Sequence, residues 1–271
     1  ALQRVPAWAT AFAAPHTRTY KRYANLLMGE PGSQVTLTIE DAAGRRRHVQ
    51  LPRGGRFSTD WKPVEGRRLE DGWGYIAVRT LQGDSGLVKT FDAILDGMMN
   101  APGLILDLRS NGGGNSMWGD RMVGRLITHA LPYGKECFRA RHPYHRWAKG
   151  CHTLEVQPRG EPYSRPVAVL LNTNVHSSAE WMAAALCTTD RARCFGRVTA
   201  GNTGNPVPFY LPDATVYYST GDFHLLDGRR LNGQGVVPHE TIVWTLDDIR
   251  AGRDPDLDAA RAWLSEAASQ K

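Results

Sequence analysis

An α/β fold with a buried parallel sheet is predicted by three features of the sequence. Val167–Leu171 and residues 104–108 are short, continuous apolar runs, the pattern of strands covered on both faces. Each run stops at a polar or glycine-rich turn, Asn172-Thr173-Asn174 in one case and Ser110-Asn111-Gly112-Gly113-Gly114 in the other. A helical pattern follows each turn: an alanine-rich run with Glu180 and Trp181, and residues 118–127. Strands alternating with helices in this way build α/β domains.

The 271 residues suffice for one large domain, or a large one plus a small one. With 41% hydrophobic and 22% charged residues the composition is that of an ordinary globular protein. The formal net charge of +6 comes from arginines spread along the chain, with no basic helix, which argues against nucleic-acid binding. No apolar run reaches the ~20 residues of a membrane span. The sequence opens on Ala1, without Met or signal peptide, so a processed or trimmed chain lacking an N-terminal portion is expected. None of Cys137, Cys151, Cys187 and Cys194 has C-x-x-C spacing, so neither zinc nor another cofactor is called for. Three pairings are possible; two local bridges, Cys137 with Cys151 and Cys187 with Cys194, and an extracytoplasmic (periplasmic or secreted) home are expected.

Along the chain, residues 1–53 read as a small separate unit. Helix is expected near residues 8–13 and over 20–28, then a turn at 29–32 and a hairpin of residues 35–39 with 48–51. This resembles the second half of a PDZ domain. Residues 54–67 are polar and glycine-containing and read as a linker to a core at 68–271. Gly74–Val78 is a strand, and Val88, Phe91, Ile94, Leu95 and Met98 form the core-facing stripe of a helix. Beyond residue 190, strands are expected over 193–198, over 209–211 paired with 216–219, and near 241–244. Asp254-Pro255-Asp256 caps a closing amphipathic helix.

Chemistry concentrates in the two turns. At His176-Ser177-Ser178 a serine sits between strand and helix, where the free N–H groups of a helix N-terminus stabilise an anion. Either serine could instead cap the helix, a common role for this residue. The glycines at 112–114 let backbone amides approach a ligand without Cβ obstruction and can supply oxyanion donors. The phosphate-loop pattern is absent.

Six motifs in order complete the reading: Tyr75-Ile76, L-D-L-R-x-N-x-G-G from Leu106, S-x-x-E from Ser177, G-R-V-T-A-G-N from Gly196, G-x-G-V-V-P from Gly233, and D-P-x-L-x-x-A from Asp254. Together they resemble the S41 serine peptidases, the C-terminal processing (tail-specific) proteases and their tricorn-core relatives. The resemblance implies a ClpP/crotonase-like spiral of ββα units preceded by a partial PDZ-like unit, and a polypeptide substrate. Ser177 then matches the nucleophile, and the backbone N–H groups of Ser178 and Gly113 match the oxyanion hole. Ser178 is the rival nucleophile.

The general base is not identified. Asn202 stands where processing proteases carry a lysine, and Asn232 where tricorn-like members carry a glutamate. His176 and His239 are base candidates; His16 echoes a histidine motif of the tricorn-like members but lies close to the PDZ-like helix. An active serine endopeptidase is the expected function. The alternative is an inactive relative that binds peptide or another ligand as a scaffold, favoured by Asn202 and Asn232. An acyl-CoA enzyme of the crotonase type shares the oxyanion logic, but leaves Ser177 without a role and lacks a basic site for the CoA phosphates.

Overall fold

The computed structural model describes residues 14–41, 43–54, 61–140, 148–188 and 191–269; the helix expected near residues 8–13 lies outside them. The described chain opens with α1 (Pro15–Ala24), a 3-10 turn (Asn25–Leu27) and an antiparallel hairpin of β1 (Gln34–Glu40) and β2 (Arg46–Pro52). Next come β3 (Val64–Arg68), β4 (Gly74–Val78), α2 (Gly86–Asp96), β5 (Leu104–Asp107) and α3 (Ser116–Val123). A long hairpin, β6 (Leu131–Ala140) and β7 (Ala148–Val156), precedes β8 (Val167–Leu171), α4 (Ser178–Cys187) and β9 (Ala192–Gly196). The hairpin of β10 (Pro206–Leu211) and β11 (Ala214–Ser219) follows, then β12 (Gly221–Leu225), β13 (Glu240–Thr241), α5 (Leu246–Arg250) and α6 (Pro255–Ser269).

Six strands form the central sheet in the order β13-β9-β8-β5-β4-β3, parallel except for the β3–β4 pair. Side chains alternate between its faces, and both faces are buried, which is why these strands read as continuous apolar runs. Ile76, Val78, Leu104, Leu106, Val167, Val169 and Leu171 pack with apolar residues of α2, α3 and α4. Tyr75, Ala77, Ile105, Ala168, Leu170 and Phe195 pack under Ala260 and Leu264 of α6 on the opposite face. Each fully buried Leu or Ile here contributes roughly 1.5–3 kcal/mol of transfer free energy.

Adjacency of β5 and β8 decides where the site falls. Leu104 pairs with Val167 and Asp107 with Leu170, so the turns after the two strands leave the same sheet edge side by side. That edge, outside the carboxyl ends of parallel strands, is where open α/β sheets bind ligands.

A buried ionic cluster ties the sheet to α6. Arg109 bonds Asp107 and makes a bidentate pair with Asp254 at 2.8 Å for both contacts. Asp256, fully buried, takes further bonds from Arg109, Arg197 and the Trp244 indole. Asp254 also accepts the Leu257 N–H, with Pro255 as the first helical residue, so the closing helix starts as its sequence signals.

Several boundaries differ from the expectations. Residues 64–67, counted with the linker, belong to the antiparallel edge strand β3, where only Val64 is buried and the other residues keep the polar composition of an edge. The helix expected over 20–28 begins at Pro15 and closes at Ala24, because proline at its first position fixes the entry. Strands β6, β7 and β12 form a three-stranded sheet in the order β12-β6-β7 that local patterning does not reveal. Both expected disulfides are present, Cys137–Cys151 across β6 and β7 and Cys187–Cys194 between α4 and β9, and no free cysteine remains among the described residues. They fit an oxidising, extracytoplasmic setting. No helix among the described residues is long and apolar enough to cross a membrane.

Candidate active site

Ser177 sits between β8 and α4 with φ +59° and ψ −134°, a backbone region that L-residues rarely occupy and that costs of order 1–3 kcal/mol. Its hydroxyl makes no capping hydrogen bond to the helix, which disposes of the capping role for this serine. The strain is held from three sides. Ser177 N–H donates to Asn202 O (3.0 Å), His176 N–H to Asn111 O (3.2 Å), and Ala200 N–H to Val175 O (2.8 Å). Ser178, by contrast, is committed: its hydroxyl donates to Gly114 O. Its backbone N–H belongs to the first helical residue, among those no helical carbonyl can accept.

The glycine turn meets Ser177 directly. Gly113 has φ +88°, and a Cβ placed on it would lie 2.7 Å from Ser177 Cβ and 3.0 Å from Ser178 N, so only glycine fits. Asn111, fully buried, shapes this turn: its Oδ1 accepts the Gly113 N–H (2.9 Å) and its Nδ2 donates to Val78 O (3.0 Å). The Gly113 amide therefore already has a partner, and Gly114 is the turn residue that lines the cavity in front of Ser177.

Below the serine lies Glu180, completely buried on α4. It accepts the Thr199 hydroxyl and the N–H groups of Gly201 (2.7 Å) and Asn202 (2.8 Å), and so clamps the loop after β9 against the start of α4. Burial pushes its carboxyl up to about 7, against the opposing pull of those donors. The glutamate of S-x-x-E is thus a positioning residue.

Of the base candidates, His176 packs its ring on Gly112, with Nε2 3.4 Å from where a Cβ would sit. Burial, and then the Lys21 charge, push its pKa down, so the ring is neutral at neutral pH. His239 sits elsewhere: its Nδ1 accepts the Cys194 N–H (2.9 Å) beside the Cys187–Cys194 bridge. Bridged cysteines cannot serve as thiolate ligands, so this group is no metal site. Asn202 meets Ser177 through its backbone carbonyl. Asn232 is tied to Thr203 and Asp222. His16, set aside in the sequence for its position, hydrogen-bonds Thr199 O through Nε2 (2.7 Å), while the buried Thr17 hydroxyl donates to Ala200 O (2.6 Å). Helix α1 thus docks on the loop beside Ser177; only the Pro15-His16-Thr17 motif could have signalled this.

The cavity in front of Ser177 has a volume of about 420 Å³. Ser177, Ser178 and Trp181 line one side, from the first turn of α4, and Glu136 of β6 contributes from the small sheet. A strained serine over a glycine turn, at the mouth of a cleft, is an arrangement for nucleophilic attack on a carbonyl.

The sequence profile of peptidase family S41 matches residues 72–242, well over half the chain and every part of this site except α1. The chain belongs to peptidase family S41. The S41 chain superposes on mature CPAF complexed with lactacystin with a TM-score of 0.68, at 16% identity over 93% of this chain and 71% of that one. It superposes on a photosystem II D1 C-terminal processing protease with a TM-score of 0.56, at 23% identity over 88% of this chain and 63% of that one. At these identities the likeness is one of fold. An uncharacterized protein of Chlamydia muridarum is 33% identical over 105 residues, 37% of this chain. The chain spans 17% of that curated relative's length.

Proposed function

We propose that this S41 chain is a serine endopeptidase that cleaves unfolded or tail-exposed polypeptide through an acyl-enzyme on Ser177. The observation that carries this reading is the strained, uncapped Ser177 within 2.7 Å of the space a Gly113 Cβ would fill. Ser177 Oγ attacks the peptide carbonyl carbon while its proton passes to an imidazole. The carbonyl oxygen becomes an oxyanion facing the Ser178 N–H and the glycine turn, where Gly114 lines the cavity and the Gly113 N–H serves only by leaving Asn111 Oδ1. Collapse breaks the C–N bond, and the leaving amine takes the proton back. Water then attacks the acyl carbon, giving the new carboxylate and restoring the hydroxyl. Two imidazoles lie on the segments flanking the serine, His176 and His16. In this reading α1 with the β1–β2 hairpin is the partial PDZ-like unit, and the remainder the ClpP/crotonase-like spiral.

The test is hydrolysis of a labelled, unfolded polypeptide. Ser177→Ala should lower kcat by about 10³-fold or more. Of His16→Gln and His176→Gln, the variant lacking the base should lose about 10²–10⁴-fold and the acid limb of the pH–rate profile; the other should keep that limb. A competing scaffold role draws on Asn232, an uncharged side chain tied by hydrogen bonds to Thr203 and Asp222, at the position where the resemblance implies a glutamate. Peptide binding by the wild-type chain, with no hydrolysis that Ser177→Ala removes, would favour that role.

A further inference from the structure

Two polar atoms in the cavity beside Ser177 lack partners. Glu136 Oε1 and Trp181 Nε1 are buried without a hydrogen bond among the described residues. Orphaned buried groups are rare, because each forfeits its hydration for nothing in return. The Glu136 side chain is 7% exposed, and its other oxygen, Oε2, stands 3.6 Å from Nε2 of the half-exposed His152, its cross-strand neighbour on β7. On the far side, Gly221 of β12 leaves room for Oε1: a Cβ there would come within 3.1 Å of it. Glu136 is the single ionisable side chain among the residues lining this cavity. Trp181 is held by stacking on Phe223, with ring centroids 5.4 Å apart. The remaining wall is uncharged, formed in part by Asn115, Ser116 and Thr203.

An acidic floor, an uncharged wall and a nucleophile at the rim together define what fits. We infer that this cavity is the side-chain pocket for the substrate residue on the N-terminal side of the scissile bond, and that it selects arginine or lysine through Glu136. A guanidinium or ammonium donates to Oε1 and neutralises a carboxylate that now has only a distant imidazole beside it. Apolar side chains would leave both orphaned atoms unmet, and an acidic one would be repelled. Trp181 Nε1–H faces the same space and is open to a bridging water or a substrate carbonyl. A site built around a buried hydrogen-bonding group discriminates strongly against residues that cannot use it.

This inference rests on the peptidase reading, so its test separates the two. Paired peptide substrates differing only in arginine or leucine before the scissile bond give a selectivity ratio in kcat/KM. The wild-type chain should prefer arginine, and Glu136→Gln should reduce the ratio by about 10²-fold. Glu136→Asp, which keeps the charge on a shorter stem, should retain the preference and favour arginine over lysine; it also serves if Glu136→Gln does not fold. No arginine preference, or one that both variants leave unchanged, overturns the inference while serine-dependent hydrolysis upholds the peptidase. A second readout needs no turnover. Benzamidine, a small aromatic cation, should bind Ser177→Ala and bind Ser177→Ala/Glu136→Gln at least about tenfold more weakly. If that loss occurs while the wild-type chain hydrolyses nothing, the pocket stands and the peptidase reading falls. If benzamidine binds both variants equally, the pocket assignment falls.

Discussion

Ser177 combines an unfavourable backbone conformation with a hydroxyl that does nothing for the helix it precedes. Strain of this kind persists only when the surroundings enforce it, and here three backbone bonds and a glycine turn do so. Gly113→Ala tests that enclosure: with φ +88° and contacts at 2.7 Å, the new methyl must displace Ser177. Hydrolysis should fall by about 10²-fold or more, with stability lowered by more than about 1 kcal/mol, read by peptide turnover and chemical denaturation. Glu180 supplies a pH signature. Its carboxyl, at about 7 in the folded chain against 4.5 as its ordinary value, keeps a proton that the unfolded chain has already lost between those pH values. The folded state binds more protons there, so stability falls as pH rises from 4.5 to 7. Partly buried Asp120, raised to about 6, acts in the same direction. Carboxylates held low, such as Asp254 and Asp222, lose their contribution as pH falls through their folded values, below 3.8. Thermal unfolding should therefore show highest stability on the acid side of neutrality, and Glu180→Gln should flatten the decline towards pH 7. The place of Ser177 at the turn into α4 was legible in the sequence, because S-x-x-E lies between an apolar strand and an alanine-rich helix. Glu136 was not: a glutamate in a polar strand reads as solvated, and only pairing with distant β12 buries it.

Among the elements, the L-D-L-R and D-P-x-L motifs explain each other. Arg109 and Asp254 are 145 residues apart and meet as a bidentate pair, with Asp256 buried between Arg109 and Arg197. Their work is to fasten α6 to the carboxyl end of β5. Asp256→Ala would leave two guanidinium groups short of a partner and the Trp244 indole unbonded. It should cost about 3–5 kcal/mol, measured by denaturant unfolding. Core strands β4, β5 and β8 were readable because burial on both faces leaves an uninterrupted apolar run. β6 and β7 were not, since their stability comes from cross-strand partners and the Cys137–Cys151 bridge rather than from local pattern. β3, at the sheet edge, is polar enough to pass for a linker. The docking of α1 on the loop after β9 was equally hidden, because His16 and Thr17 lie 183 residues from their partners.

Across the whole molecule, parallel strand order turns distance along the chain into proximity. Because β8 lies beside β5, the turn after each strand opens on one edge, and the serine of one reaches the glycines of the other. The small β12-β6-β7 sheet then closes the cleft from the side and brings Glu136 to it. Order of elements, read from six short motifs, was enough to indicate family S41; the approach of His16 to the loop beside Ser177 was not legible, because 183 residues separate it from Thr199 and only the folded chain brings them together. The most direct measurement is covalent labelling by a fluorophosphonate, with the adduct located by peptide mass mapping. A single adduct on Ser177, absent from Ser177→Ala and sharply reduced in Gly113→Ala, is the predicted result. An adduct on Ser178, or none on a folded wild-type chain, would contradict the account.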